Sequence, residues 1–315
     1  MQIVFLDSTA IPKHIPIPRP NFAHEWIEYP YTSADQTIER AKDADIVITS
    51  KVIFDRQTLE QLPKLKLIAI TATGTNNIDL VAAKELGIEV KNVTGYSSVT
   101  VPEHVLGLIF SLKHSLAGWL RDQTSAKWGE SPQFCYFDYP ITDVRGSTLG
   151  IVGKGCLGSE VGRLAQALGM HVLYAEHKNA LTCREGYTPF NEVLKQADIL
   201  TLHCPLTPDT ENLINEETLS QMKKGAFLIN TGRGPLVDEK ALLKALTGGH
   251  LGGAALDVMA KEPPEKDNPL IVAAKTMPNL IITPHIAWAS DGAVATLVKK
   301  VTQNMEAFVA QLNRK

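Results

Sequence analysis

The sequence predicts an α/β protein made of two doubly wound parallel-sheet domains, and three observations lead there. Short apolar runs of strand length alternate with helical patterns along nearly the whole chain, as expected of parallel sheets covered by helices on both faces. The 315 residues exceed what one core usually serves, so two domains of ordinary size are expected. One stretch, TLGIVGKGCLGSEVGRLAQALGMHVLYAE from Thr148 to Glu176, passes from strand through spaced glycines into a helix and out to a second strand.

Taken in order, IVFL, WIEY, DIVITS, LKLIAITAT and IEVKNV read as five strands in the first hundred residues. Helical patterns lie at Ala34 to Lys42, Asp55 to Gln61 and Asn77 to Leu86, and the proline-rich IPKHIPIPRP is a surface loop. The fourth strand ends in TATGTNNID, which either presents backbone N–H groups to a carboxylate or is an ordinary turn with Asp79 near the helix start. Val101 to Trp119 reads as one buried helix opened by a proline, with His104 and His114 structural or at the surface. From Asp122 to Tyr139 the pattern breaks, and Trp128, Phe134, Tyr136, Phe137 and Tyr139 cluster on a connection. They suit a contact with a second subunit or packing on the chain's own second domain. After Gly146 the alternation resumes with ADILTLHC, GAFLINTG, GGAALDV and LIITPH, interleaved with helices at Glu216 to Lys223 and Glu239 to Leu246. The helix Asp291 to Gln311 returns to complete the first domain.

Composition narrows the function. A net charge of −3 gives no electrostatic case for nucleic acid or an anionic membrane, so a small-molecule partner is expected. The four cysteines, at 135, 156, 183 and 204, form no C-x-x-C or Cys/His cluster, which argues against a metal site or a disulfide framework and for a reducing compartment. With no signal segment at MQIVFLDSTA and no apolar run long enough to span a bilayer, the expectation is a soluble cytoplasmic protein.

The G-x-G-x-x-G spacing has a physical job in its strand–turn–helix setting. Gly153 permits the tight turn, Gly155 lets a pyrophosphate approach the backbone, and Gly158 lets the helix pack on its strand. The phosphates would sit on the helix N-terminus near Leu157. Glu176 closes the next strand where an acid bonds the adenosine ribose hydroxyls, which points to NAD.

Ligands of open α/β sheets bind outside the carboxyl ends of the strands. Those ends in the second domain are Gly153, Glu176, Cys204-Pro205, Thr231-Gly232-Arg233, Asp257 and His285, and one cleft could gather them. The guanidinium of Arg233 matches a carboxylate with two parallel hydrogen bonds. His285 is a candidate proton donor, and Glu262, on a proline-rich loop that could fold back to the same edge, would keep its ring charged. Arginine for the carboxylate, histidine for the carbonyl oxygen and a tuning glutamate suit reduction of a 2-oxo acid by a nicotinamide.

The runs LTLHCPLTPDTENLINEETLSQMKKGAFLINTGRGPLVDEKALLKAL, AALDVMAKEPP and ITPHIAWAS, with TATGTNNID and SVTVPEHVLGLIFSL upstream, closely resemble the D-isomer-specific 2-hydroxyacid dehydrogenases over essentially the whole chain. The resemblance implies a Rossmann NAD-binding domain, residues 101–285, inserted in a flavodoxin-like substrate domain of residues 1–100 and 286–315. It implies Arg233, Glu262 and His285 as catalytic residues, with the substrate carboxylate also held at Thr73 and Gly74. It further implies cofactor contacts from Cys156, Leu157, Cys204, Pro205 and Thr231, with Asp257 near the nicotinamide, and a homodimer around the aromatic arm. TATGTNN with PHIAWAS looks most like the glycerate dehydrogenase subgroup, also called hydroxypyruvate reductases, while lactate-type, phosphoglycerate and formate dehydrogenase readings stay open. Two positions depart from the family: Glu176 stands where aspartate is commoner, followed by His177 and Lys178, and Asn76 replaces an aspartate. A carboxylate at 176 should still repel a 2′-phosphate. A nucleotide-sensing protein on the same fold is the competing class, against which the complete Arg233, Glu262 and His285 set argues.

Overall fold

The computed structural model describes Met1 to Arg314. It divides into two units, one formed by Met1–Ser97 with the chain from Ala289 onward, the other by Ser98–Trp288. The chain crosses between them at Ser97–Ser98 and at Trp288–Ala289. Inside the second unit its two ends are tied together, because the Thr100 hydroxyl donates to the Ala287 carbonyl.

Unit 1 holds strands β1 (Gln2–Phe5), β2 (Glu25–Glu28), β3 (Ile46–Thr49), β4 (Leu67–Ile70) and β5 (Glu89–Lys91). They run parallel in the order β2-β1-β3-β4-β5, the doubly wound order of flavodoxin-like sheets. The central β3 and β4 are buried at every residue, which is why they read as continuous apolar runs with no alternation. Asp55 and Asp79 each accept the N–H three residues on and so start the helices Arg56–Glu60 and Leu80–Glu85. The second helix begins later than Asn77 because the Asn77 amide donates to the Val52 carbonyl instead. The helix Asp291–Leu312, capped by Ser290, packs on β4 and buries Val294, Leu297, Val298, Val301, Met305 and Phe308 at helical spacing.

Unit 2 holds β6 (Thr148–Val152), β7 (His171–Ala175), β8 (Ile199–Leu202), β9 (Phe227–Asn230), β10 (Gly253–Leu256) and β11 (Leu280–Ile282), all parallel in the order β11-β10-β9-β8-β6-β7. Beyond β7 a further strand is reduced to one bridge, Ala175 with Thr188. Counting that bridge restores the strand order of dinucleotide-binding folds, with the reversal between β6 and β8. The connection from β7 to Thr188 is a loop where such folds usually place a helix.

The segment 101–119 is two helices, Thr100–Lys113 and Leu116–Asp122, not one. Ser115 adopts φ +52° and its hydroxyl donates to the Pro140 carbonyl, which turns the chain there. The first helix buries Val101, Val105, Leu108, Ile109 and Leu112 beside β9 and β10. Among the described residues no helix is long and apolar enough to cross a membrane.

Candidate active site

The glycine loop follows β6 and is closed on its protein side but open at its middle. Gly153 has φ +101°, and a Cβ there would lie 2.6 Å from the Cys204 nitrogen. A Cβ on Gly158 would lie 2.0 Å from the Gly153 carbonyl oxygen, so the helix can approach its strand only as glycine. A Cβ on Gly155 would meet nothing within 4 Å. The helix Cys156–Ala167, which includes Leu157, starts at this opening with no side-chain cap and no acidic residue in its first turn. Its first N–H groups and positive dipole end are therefore available to an anion.

One further observation, just after β9, bears on what the loop could hold. The Thr231 hydroxyl, just after β9, is the one buried side-chain polar atom without a hydrogen-bond partner among the described residues. Such a group is costly to leave unsatisfied. An open Gly155, an uncapped helix start and an orphaned Thr231 hydroxyl together fit a bound dinucleotide. Cys204, followed by the exposed Pro205, contributes shape and not a nucleophile, because burial pushes its thiol up to about 11. Desolvation likewise pushes His203 down to about 4, leaving a neutral ring that shares a hydrogen bond of 3.0 Å with Thr201.

Glu176 is buried after β7, and the structure pairs it within the protein. Arg184 donates to both of its carboxylate oxygens, from Nη2 at 2.6 Å and Nε at 2.7 Å. The backbone N–H groups of Arg184 and His177 add two more bonds. These bonds, the Arg184 side chain foremost, hold the carboxyl at about 2.

The chemistry-bearing side chains gather on the loops after β9, β10 and β11. Asn230, fully buried at the end of β9, donates to the Arg233 carbonyl and accepts from the Gly232 N–H, so it shapes the turn that presents Arg233. That turn is seated on the next loop, since a Cβ on Gly234 would lie 2.0 Å from the Met259 carbonyl. The loop after β10 folds back as its position suggested. Glu262 accepts from the Met259 N–H through one oxygen and meets His285 Nδ1 at 2.7 Å through the other. A bond at Nδ1 leaves Nε2 as the ring nitrogen for a ligand.

His285 itself sits in a left-handed turn with φ +54°. Asp257, 2% exposed, holds that turn by accepting from the N–H groups of Ile286 and Ala287 and from the Thr283 hydroxyl. The Trp288 indole donates to the His285 carbonyl. His104, read from sequence as structural or superficial, reaches this network: its Nε2 lies 3.3 Å from the Thr283 hydroxyl and 3.8 Å from Asp257. The 179 residues separating His104 from Thr283 explain why no spacing argument could find the contact.

In unit 1, Thr73 and Gly74 lie on the loop after β4. The Thr73 hydroxyl donates to the Val93 carbonyl at 2.8 Å, and the Asn92 amide donates to the Thr73 carbonyl at 2.6 Å. With that hydroxyl proton committed, an anion at this loop would be met by backbone N–H groups.

Known proteins resemble the chain along nearly its whole length. Residues 106–287 match the model of the D-isomer specific 2-hydroxyacid dehydrogenase NAD binding domain. A Haemophilus influenzae chain named as a 2-hydroxyacid dehydrogenase is 82% identical over 315 residues, covering 100% of both chains. The glycerate dehydrogenase of Methylorubrum extorquens is 47% identical over 310 residues, 98% of this chain and 96% of the relative. Among solved structures, a D-lactate dehydrogenase from Aquifex aeolicus complexed with NAD and lactic acid superposes with a TM-score of 0.80 at 27% identity, covering 98% and 96% of the two chains. The parallel sheets, the glycine loop and these matches together place the chain in the D-isomer specific 2-hydroxyacid dehydrogenase family, as an NAD-binding oxidoreductase.

Proposed function

We propose that this dehydrogenase interconverts D-glycerate and hydroxypyruvate and also reduces glyoxylate. The observation that carries the proposal is the Glu262–His285 pair on loops that neighbour the Arg233 turn, at the carboxyl edge of β9 to β11. Arg233 binds the substrate carboxylate. His285 gives a proton from Nε2 to the carbonyl oxygen, and Glu262 fixes the ring and balances its charge. NAD, when bound, supplies or accepts the hydride. The Gly153, Gly155, Cys156, Leu157 and Gly158 loop holds its phosphates, Cys204, Pro205 and Thr231 line its path, and Asp257 keeps the His285 turn in place. The likeness to a glycerate dehydrogenase at 47% identity supports this substrate over lactate or 3-phosphoglycerate.

The test is NADH oxidation with hydroxypyruvate, glyoxylate, pyruvate and 3-phosphohydroxypyruvate. Hydroxypyruvate is expected to give the highest kcat/KM, by about tenfold or more over pyruvate, a gap of ~1.4 kcal/mol in transition-state binding. A higher value for either of the last two would overturn the substrate assignment and leave the family intact.

The same reading includes a homodimer built on the aromatic arm, working in the cytoplasm, where its four free thiols stay reduced. The base of the arm is braced: Trp119 meets Tyr136 and Tyr139 edge-on, and Asp122 accepts both tyrosine hydroxyls. Its tip is bare, with Trp128, Phe134 and Phe137 at 67%, 87% and 83% exposure. A second copy covers this surface. Light scattering should report twice the chain mass, and Phe134→Ser with Phe137→Ser should reduce it to the mass of one chain. A monomeric wild type would remove this part of the reading.

A further inference from the structure

We propose that Arg184 determines the coenzyme preference of this enzyme and opens the end of β7 to a 2′-phosphorylated dinucleotide as well as to NAD. The inference rests on the dinucleotide lying along the Gly153–Gly158 loop, as argued above. An acid at the end of this strand normally does two things: its lone pairs accept the ribose hydroxyls, and its charge turns away a 2′-phosphate. In this chain both capacities of Glu176 are already used. A carboxylate offers about four acceptor sites, and His177 N, Arg184 N, Arg184 Nε and Arg184 Nη2 donate to the two oxygens at 2.6 to 3.0 Å. The ion pair also cancels the charge that would do the rejecting.

What remains at this end of the sheet is positive. The Arg184 side chain is 54% exposed and its guanidinium lies 4.1 Å over the Tyr187 ring. Lys154, from the glycine loop itself, brings its ammonium within 5.1 Å of the same ring and 4.6 Å of Tyr174. Lys178 is balanced by Glu217 at 3.9 Å, and Glu185 is exposed to solvent. A guanidinium held by a buried carboxylate and stacked on a tyrosine is preorganised to receive phosphate oxygens on its outer edge. The cause is topological: β7 is followed by a loop in place of a helix, and that loop turns back at Arg184 before joining Thr188.

Calorimetric titration of the whole enzyme with NADH and with NADPH tests this without turnover. The wild type is expected to bind both with Kd values within about tenfold, a difference under ~1.4 kcal/mol. Arg184→Ala should weaken NADPH by about tenfold or more while NADH binding is kept or strengthened, the loss of a charge-assisted pair. Glu176→Gln should move the ratio the other way, toward NADPH. Damage to the loop alone would weaken both coenzymes together and leave their ratio unchanged, so an unchanged ratio in Arg184→Ala overturns the proposal. So does a wild type that binds NADPH about a hundredfold less tightly than NADH, ~2.7 kcal/mol. Failure of both coenzymes to bind would instead remove the dinucleotide placement on which the proposal rests.

Discussion

Replacing His285 with alanine is expected to lower kcat by about 10²–10⁴-fold, the usual worth of a positioned general acid–base group. Reduction of a 2-oxo acid creates an alkoxide unless a proton arrives with the hydride, and His285 is the ring whose Nδ1 is already bonded to Glu262. The imidazole is placed by backbone as well as by its partner, through the Asp257 carboxylate and the Trp288 indole. Truncation at Cβ leaves those bonds intact, so the turn should persist and NADH affinity should stay within about twofold, as expected when an interaction made only in the transition state is removed. Steady-state kinetics with a parallel coenzyme titration reads both quantities. An unchanged kcat would discard the proton-transfer role.

Arg233→Ala is the second large effect, and it should fall on substrate recognition. Losing one partner of a desolvated, doubly hydrogen-bonded charge pair costs about 2–5 kcal/mol, or roughly 10²–10³-fold in kcat/KM near the middle of that range. Arg233→Lys restores charge but not the planar fork, so it should recover only part of the loss. The pattern distinguishes binding from general collapse, because Asn230 braces the turn with two hydrogen bonds and the guanidinium adds only one, from Nη1 to the Gly232 carbonyl at 2.7 Å. Arg233→Ala should therefore keep its melting temperature, and a KM for hydroxypyruvate no higher than that of the wild type would sink the assignment.

Much of this was legible in the sequence because the relevant physics is local. Gly153, Gly155 and Gly158 are spaced by the geometry of one turn, and the buried strands β3 and β4 announce themselves as runs without alternation. Arg233, Glu262 and His285 could be gathered on paper because ligands of parallel sheets meet the carboxyl edge. Contacts closed by loops left no such trace. Arg184 captures Glu176 across eight residues with no periodic pattern, His104 meets Thr283 across 179, and the break at Ser115 depends on a hydroxyl bond to Pro140. An apolar count through Val101 to Trp119 registers only that both pieces want burial.

The insertion of unit 2 between Ser97 and Ala289 also sets the order in which the protein can be born. A chain leaves the ribosome N-terminus first, and a contiguous domain can fold as soon as it has emerged. Unit 2 is one continuous segment. Unit 1 is not, and the helix Asp291–Leu312 that covers β4 is synthesised after all six strands of the inserted sheet. Through that interval the apolar β3 and β4 wait without their last covering helix, exposed to mispairing with other nascent strands. The coenzyme-binding unit is thus the first of the two whose chain is complete.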